Sequence, residues 1–229
     1  MTVQFNQKHL KKFKECYPSE PTQGPVGRTP SLILDHASIA KRLRPKQYPL
    51  DKPLSRATVR KICRDKKVNG KAAYVCVMAW GGLRKNHMIM ALKSSGLVDA
   101  LNKLQRGMKR IDAFNLLSQA WQDGLIKGMR VSFFTKVPYF FLPEESAYIL
   151  DQWTAKSANL LWKDCPLTMD PSNPDLPNPY TTPDQYEAYC QFVEALAEEM
   201  KWQSPVSAEI GMFGKNEYGI NGWRKYVKS

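Results

Sequence analysis

A chain of 229 residues, 43% hydrophobic and 11% aromatic, buries a real core and is not a disordered polymer. Residues 72–80 form the longest apolar run, too short to span a bilayer, and the first twelve residues lack the apolar stretch of a secretory signal. Five cysteines, odd in number and nowhere spaced C-x-x-C, argue for a reducing compartment, against a structural zinc site and against a compact four-cysteine iron–sulfur loop. The expected address is the cytoplasm. The net charge of +13 is unevenly spread: residues 1–110 hold 24 Lys and Arg against 6 Asp and Glu, and the remainder is net acidic. Such asymmetry points to a basic lobe facing a polyanion. A membrane surface is the rival, but no segment pairs a basic face with a fully apolar one.

In chain order, Phe5, Leu10, Phe13 and Tyr17 mark a basic amphipathic helix with Lys8, Lys11, Lys12 and Lys14 outside. Residues 18–30 read as a loop, 31–43 as a helix, and 44–53 as a Pro-rich connector. Residues 55–67 form a helix that puts Arg56, Arg60, Arg64 and Lys67 on one face. Asn69 caps a buried helix running to Trp80, and residues 96–104 supply another. Asp112 is placed as the cap of a helix carrying Ala113, Phe114, Leu117, Ala120 and Trp121, followed by a turn over 124–132 and an aromatic run over 133–142. Asp151 stands directly before a helix with Trp153, Ala158 and Leu161. The six prolines of 164–183 indicate a surface loop, after which Thr182-Pro183-Asp184-Gln185 gives an N-cap, an N1 proline and a capping-box Gln. Strand alternation is absent from this reading, so the fold class is all-α. The expected division is one unit over 1–229 with a basic helical lobe over 1–110 and a second lobe over 111–229.

The segment Leu125-Ile126-Lys127-Gly128-Met129-Arg130-Val131-Ser132-Phe133-Phe134-Thr135-Lys136 lies between two helical patterns. A Gly-containing turn that opens a helix offers free backbone N–H groups, a ready phosphate site that reads no base sequence. Here the chain resembles the helix-hairpin-helix DNA glycosylase superfamily, and within it bacterial 8-oxoguanine-glycosylase-like proteins with a Ser-Phe-Phe-Thr-Lys segment. The resemblance continues through Tyr139-Phe140-Phe141, Tyr148-Ile149-Leu150-Asp151, Asp184-Gln185-Tyr186 and Tyr189-Cys190, and more loosely Ala79-Trp80-Gly81. It covers roughly residues 72–213 and implies two helical lobes with a cleft. Where superfamily hairpins read Leu-Pro-Gly-hydrophobic-Gly, Lys127 and Arg130 stand for the proline and second glycine. The superfamily lysine aligns near Ser132 or Phe133, one turn before Lys136, and Pro138 interrupts the helix that follows.

The resemblance implies catalytic roles for Lys136 and Asp151. An ammonium set among Phe133, Phe134, Tyr139, Phe140 and Phe141 loses hydration, which favours the neutral, nucleophilic amine. The other reading of Lys136 is a side chain lying along an aromatic helix or binding phosphate. Asp151 is a helix N-cap, a carboxylate supporting positive charge on a deoxyribose, or both.

The expected DNA contacts are Gly128, Arg130, Ser132, Thr135, Arg84 and Lys85, and the expected base pocket is Trp80, Gly81, Trp153 and Phe213, able to hold an extruded base between flat side chains. The expected activity is cleavage of the N-glycosidic bond of a damaged, 8-oxoguanine-like base, with AP-lyase activity as a possible accompaniment. One alternative is excision of a hypermodified phage base in antiviral defence; another is a non-catalytic helix-hairpin-helix DNA-binding module. The expected partner is double-stranded DNA containing a modified base, met by a nucleoid-associated monomer that needs no cofactor, no metal and no membrane.

Overall fold

The computed structural model describes residues 3–142, 146–216 and 219–229. It is mainly helical, and its contacts divide it into two compact units, residues 25–147 and residues 1–24 with 148–229. The charge step at residue 110 does not coincide with this division. The N-terminal helix α1 (Gln7–Cys16) belongs with the acidic C-terminal part.

The unit formed by residues 25–147 is built around one helix. It contains α2 (Pro30–His36), α3 (Arg56–Arg64), α4 (Gly70–Gly81), α5 (Lys85–Leu92), α6 (Leu97–Arg106), α7 (Arg110–Gln122), α8 (Val131–Phe134) and α9 (Lys136–Phe141). Helix α4 is apolar on every side and buried from Ala72 to Trp80, so it must be a central element, and α2, α3, α6 and α9 pack around it. Asn69 starts it by accepting from the Lys71 and Ala72 N–H groups, and Gly82 in the left-handed region ends it. The Ala79 carbonyl near its end accepts from Arg28 N–H at 2.9 Å.

Several boundaries differ from the sequence expectation. The helix expected over 31–43 stops at His36, because Ser38 takes a left-handed backbone (φ 55°), and a separate 3-10 turn covers Lys41–Leu43. Lys109, not Asp112, is the N-cap of α7; Asp112 sits inside the first turn, where a carboxylate favours the helix dipole.

The other unit holds α1, α10 (Gln152–Leu161), α11 (Pro183–Glu199), α12 (Pro205–Phe213) and α13 (Gly222–Lys228). Its core is aromatic. Trp223 is fully buried, meets Phe13 edge-on at 4.8 Å, and donates its indole N–H to Ser157 Oγ at 2.9 Å. Trp162 stacks on Phe192 with the planes 1° apart. Truncating either tryptophan to Ala would cost about 3–5 kcal/mol. The expected loop over 164–183 contains a short antiparallel pair, β1 (Met169–Asp170) with β2 (Asn173–Pro177). The prolines are tolerated because such a two-stranded edge needs few ladder donors. A second pair joins β3 (Lys215–Asn216) to β4 (Gly219–Ile220). Thr182 and Gln185 form the reciprocal capping box that starts α11. No helix among the described residues is long and apolar enough to cross a membrane.

Candidate active site

In the unit of residues 25–147, α7 and α8 are joined by the eight residues 123–130 and pack on each other, so the Gly-containing segment links two contacting helices. Gly124 and Gly128 both have positive φ. A Cβ at Gly128 would lie 2.3 Å from the His87 carbonyl oxygen, so close packing of the turn on α5 requires glycine there. Lys127 N–H donates to Ser94 Oγ at 2.9 Å, which ties the turn to the end of α5. Arg84, Lys85 and Arg130 are exposed, as a DNA contact must be, and Ser132 is half-buried. Thr135 is fully buried and its hydroxyl donates to the Val131 carbonyl at 2.8 Å, so that hydroxyl stabilises the helix end instead of facing a phosphate.

Helix α8 lasts one turn because Pro138 has no N–H for the Phe134 carbonyl. Lys136 then opens α9, and Pro138 falls in the first turn, where a missing N–H does no harm. Lys136 is 5% exposed. Its Nζ donates to the Ser132 carbonyl at 2.5 Å and lies 4.9 Å from the Phe133 ring centroid. The side chain thus folds back one turn, putting its Nζ beside Ser132. The stem lies in a groove floored by Gly81.

Trp80 is 7% exposed and meets the edge of Phe140 at 5.0 Å. Arg56, 9% exposed, places its guanidinium carbon 4.9 Å from the Trp80 centroid and 5.0 Å from that of Tyr139. Arg60 lies 4.5 Å over Tyr139 and donates to its carbonyl. Of the face expected for α3, Arg56 and Arg60 therefore lie over rings, each cation–π contact contributing about 0.5–2 kcal/mol, while Arg64 ends the helix half-buried and Lys67 lies beyond it, exposed. Within its unit Trp80 serves as packing.

Asp151 lies in the other unit. Its Oδ1 accepts from Trp153 N–H at 2.9 Å and Thr154 N–H at 3.2 Å, and Thr154 Oγ1 accepts from Asp151 N–H at 2.8 Å, a full capping box. Oδ2 bonds to no described residue, so one oxygen caps α10 while the other stays available. Buried side chains clamp the preceding backbone. Ile149 N–H donates to Glu209 Oε2 at 2.9 Å, and the Ile149 carbonyl accepts from Tyr189 and Thr154 hydroxyls at 2.8 and 3.0 Å. Tyr148 exchanges two hydrogen bonds with the Tyr186 hydroxyl. Glu209, 1% exposed, gave no sequence signal, since nothing in its spacing marks an acid that serves a backbone amide.

Trp153 and Phe213 come together around a residue the sequence reading did not name. The Arg224 guanidinium carbon lies 3.8 Å from the Trp153 centroid and 5.1 Å from that of Phe213. Burial against the rings lowers its pKa from the ordinary value, and the Asp151 charge opposes that shift. Among the described residues no three His, Cys, Asp or Glu side chains gather to hold a metal ion.

Residues 23–213 match the family model described as putative 8-oxoguanine DNA glycosylase OGG-like protein. The chain belongs to this OGG-like family. The match spans the hairpin, Lys136, Asp151, Trp153 and Phe213, and ends before Arg224. No curated protein and no solved structure matches the chain significantly.

Proposed function

We propose that this member of the OGG-like family cleaves the N-glycosidic bond of an oxidised or otherwise modified base in double-stranded DNA, with Asp151 and Lys136 as its catalytic residues. The observation that carries this reading is the divided use of the Asp151 carboxylate: Oδ1 fixes it at the start of α10, while Oδ2 is uncommitted among the described residues. A rigid carboxylate with one free oxygen can stabilise positive charge as it develops on deoxyribose, without reorganising at the moment of bond breaking. Arg224 lies against Trp153 and Phe213, so in this reading the two rings border the base pocket and do not hold the base on the faces that Arg224 covers.

In this account the neutral Lys136 amine attacks the anomeric carbon. The glycosidic C–N bond breaks, and the base leaves with the electron pair and takes up a proton. The ammonium so formed gives up a proton, its lone pair expels the ring oxygen from the anomeric carbon to form the imine, and that oxygen leaves with the C–O pair and takes up the proton as a hydroxyl. Elimination from that imine would give the accompanying strand nick.

A second reading is hydrolytic, with a water directed by Asp151. It is favoured by the 2.5 Å hydrogen bond that commits Lys136 Nζ to the Ser132 carbonyl. Both readings are tested by measuring free base released from duplexes carrying 8-oxoguanine or a bulky hypermodified pyrimidine. Release from one class names the substrate and decides between repair and defence against modified phage DNA. Binding to every duplex without release from any would leave a non-catalytic DNA-binding module.

A further inference from the structure

The C-terminal segment places a cationic cluster on the same indole that follows Asp151 in the chain. Besides Arg224, the Nζ atoms of Lys228 and Lys156 lie 5.5 and 5.6 Å from the Trp153 centroid. Lys156 is paired with Asp175 at 2.5 Å, but neither Arg224 nor Lys228 has a carboxylate within ion-pair distance among the described residues. The Arg224 side chain makes no hydrogen bond to any described residue, and its Nε is buried without a partner. A guanidinium has five N–H donors, and leaving them unmade in a half-buried place costs free energy.

The backbone holds this side chain deliberately in place. Arg224 N–H donates to Asn221 Oδ1 at 3.1 Å, and Asn221 Nδ2 in turn bonds to the Tyr17 hydroxyl. Gly214, at φ 64°, comes so near that a Cβ there would meet Arg224 Cβ at 2.7 Å. The result is a fork held flat on an aromatic face, with no hydrogen-bond partner for its side chain among the described residues, and a second cation, likewise without an ion-pair partner among them, one helical turn along. Planar forks of this kind suit bidentate contact with a phosphate, and stacking reduces the side-chain entropy lost on binding.

The geometry points to a phosphodiester site formed by Arg224 and Lys228 on Trp153, which seats the DNA strand in the unit that carries Asp151. It rests on the reading of the chain as a DNA-acting enzyme, but lies beyond the residues that match the family. In it Arg224 is a positioning residue: it grips the backbone so that the sugar, not the phosphate, is presented to the carboxylate. Phosphate contacts fix register without reading bases.

The experiment is the salt dependence of binding to unmodified duplexes of several sequences, by the full chain and by Arg224→Gln, Arg224→Lys and Lys228→Gln. Removing one phosphate contact should lower the log–log salt slope by about 1 and weaken all sequences alike, severalfold at low salt. Arg224→Lys should keep most of the slope while losing affinity, because it retains charge without the fork. Lys228 is exposed, so Lys228→Gln carries the test should Arg224→Gln fail to fold. Wild-type slopes in Arg224→Gln and Lys228→Gln overturn the proposal, as does a loss of affinity confined to some of the sequences, which would make Arg224 a reader of base edges. A lowered slope with no base released from any duplex keeps the site and removes the glycosylase reading; base release with unchanged slopes does the reverse.

Discussion

Gly81 sets the position of Lys136: a Cβ at residue 81 would stand 2.7 Å from Cδ and 3.0 Å from Cε of the lysine. These are not the free end of a flexible chain, because Nζ is held by the Ser132 carbonyl and the residue is buried. In an ordinary helix Gly→Ala stabilises by about 1 kcal/mol. Here Gly81→Ala should instead destabilise by about 1–3 kcal/mol through overpacking, and should slow base release by displacing the amine. Denaturant unfolding and single-turnover excision measure both. Unchanged stability together with unchanged rate would show that the lysine moves aside freely.

Asp151→Asn separates the two uses of one carboxylate. Asn caps helices about as well as Asp, so stability should stay within about 1 kcal/mol of the parent while base release is lost. Asp151→Ala should lose release and a further ~1 kcal/mol, because the Trp153 and Thr154 amides lose their acceptor. An Asn variant that folds and excises at the parental rate makes Asp151 a cap alone.

Much of this was legible in the sequence because it is local. Asn69, Asp151 and the Thr182–Gln185 pair read as caps because an N-cap needs only a short polar side chain beside its own helix. The all-apolar stretch before Trp80 read as buried for the same reason. The site's supports were not legible, because each joins residues far apart in the chain: Glu209 to Ile149, Gly81 to Lys136, Arg224 to Trp153. Helix α12 was missed although Ser204-Pro205 is a cap followed by an N1 proline, a signal as good as Thr182-Pro183. The ring contacts of Arg56 and Arg60 were not legible either, since a charge count does not see Trp80 or Tyr139, which lie elsewhere in the chain.

Glu209→Leu should cost about 1–3 kcal/mol by leaving the buried Ile149 N–H without an acceptor, whereas Glu209→Gln keeps an oxygen there and should cost less. Because Ile149 leads directly into Asp151, the Leu variant should also slow excision more than its stability loss explains. Equal stabilities for the two variants would show that the amide finds another partner.

Burial pushes the Cys165 thiol up to about 11, since the thiolate is the charged form and loses hydration. Its alkylation rate should therefore keep rising past pH 9 and level off near pH 11. Site-resolved mass spectrometry after iodoacetamide treatment across that range reads the profile. A plateau near pH 8.5 would mean the thiol is solvated.

Whether Lys136 is the nucleophile of the proposed reaction is tested most directly by borohydride reduction during turnover. Reduction converts the imine to a stable amine, so a protein–DNA adduct should form on a duplex whose base is released, and peptide mass spectrometry should place it on Lys136. Lys136→Gln should abolish both adduct and release. Base release with no adduct, or an adduct mapped to another amine, would contradict the account.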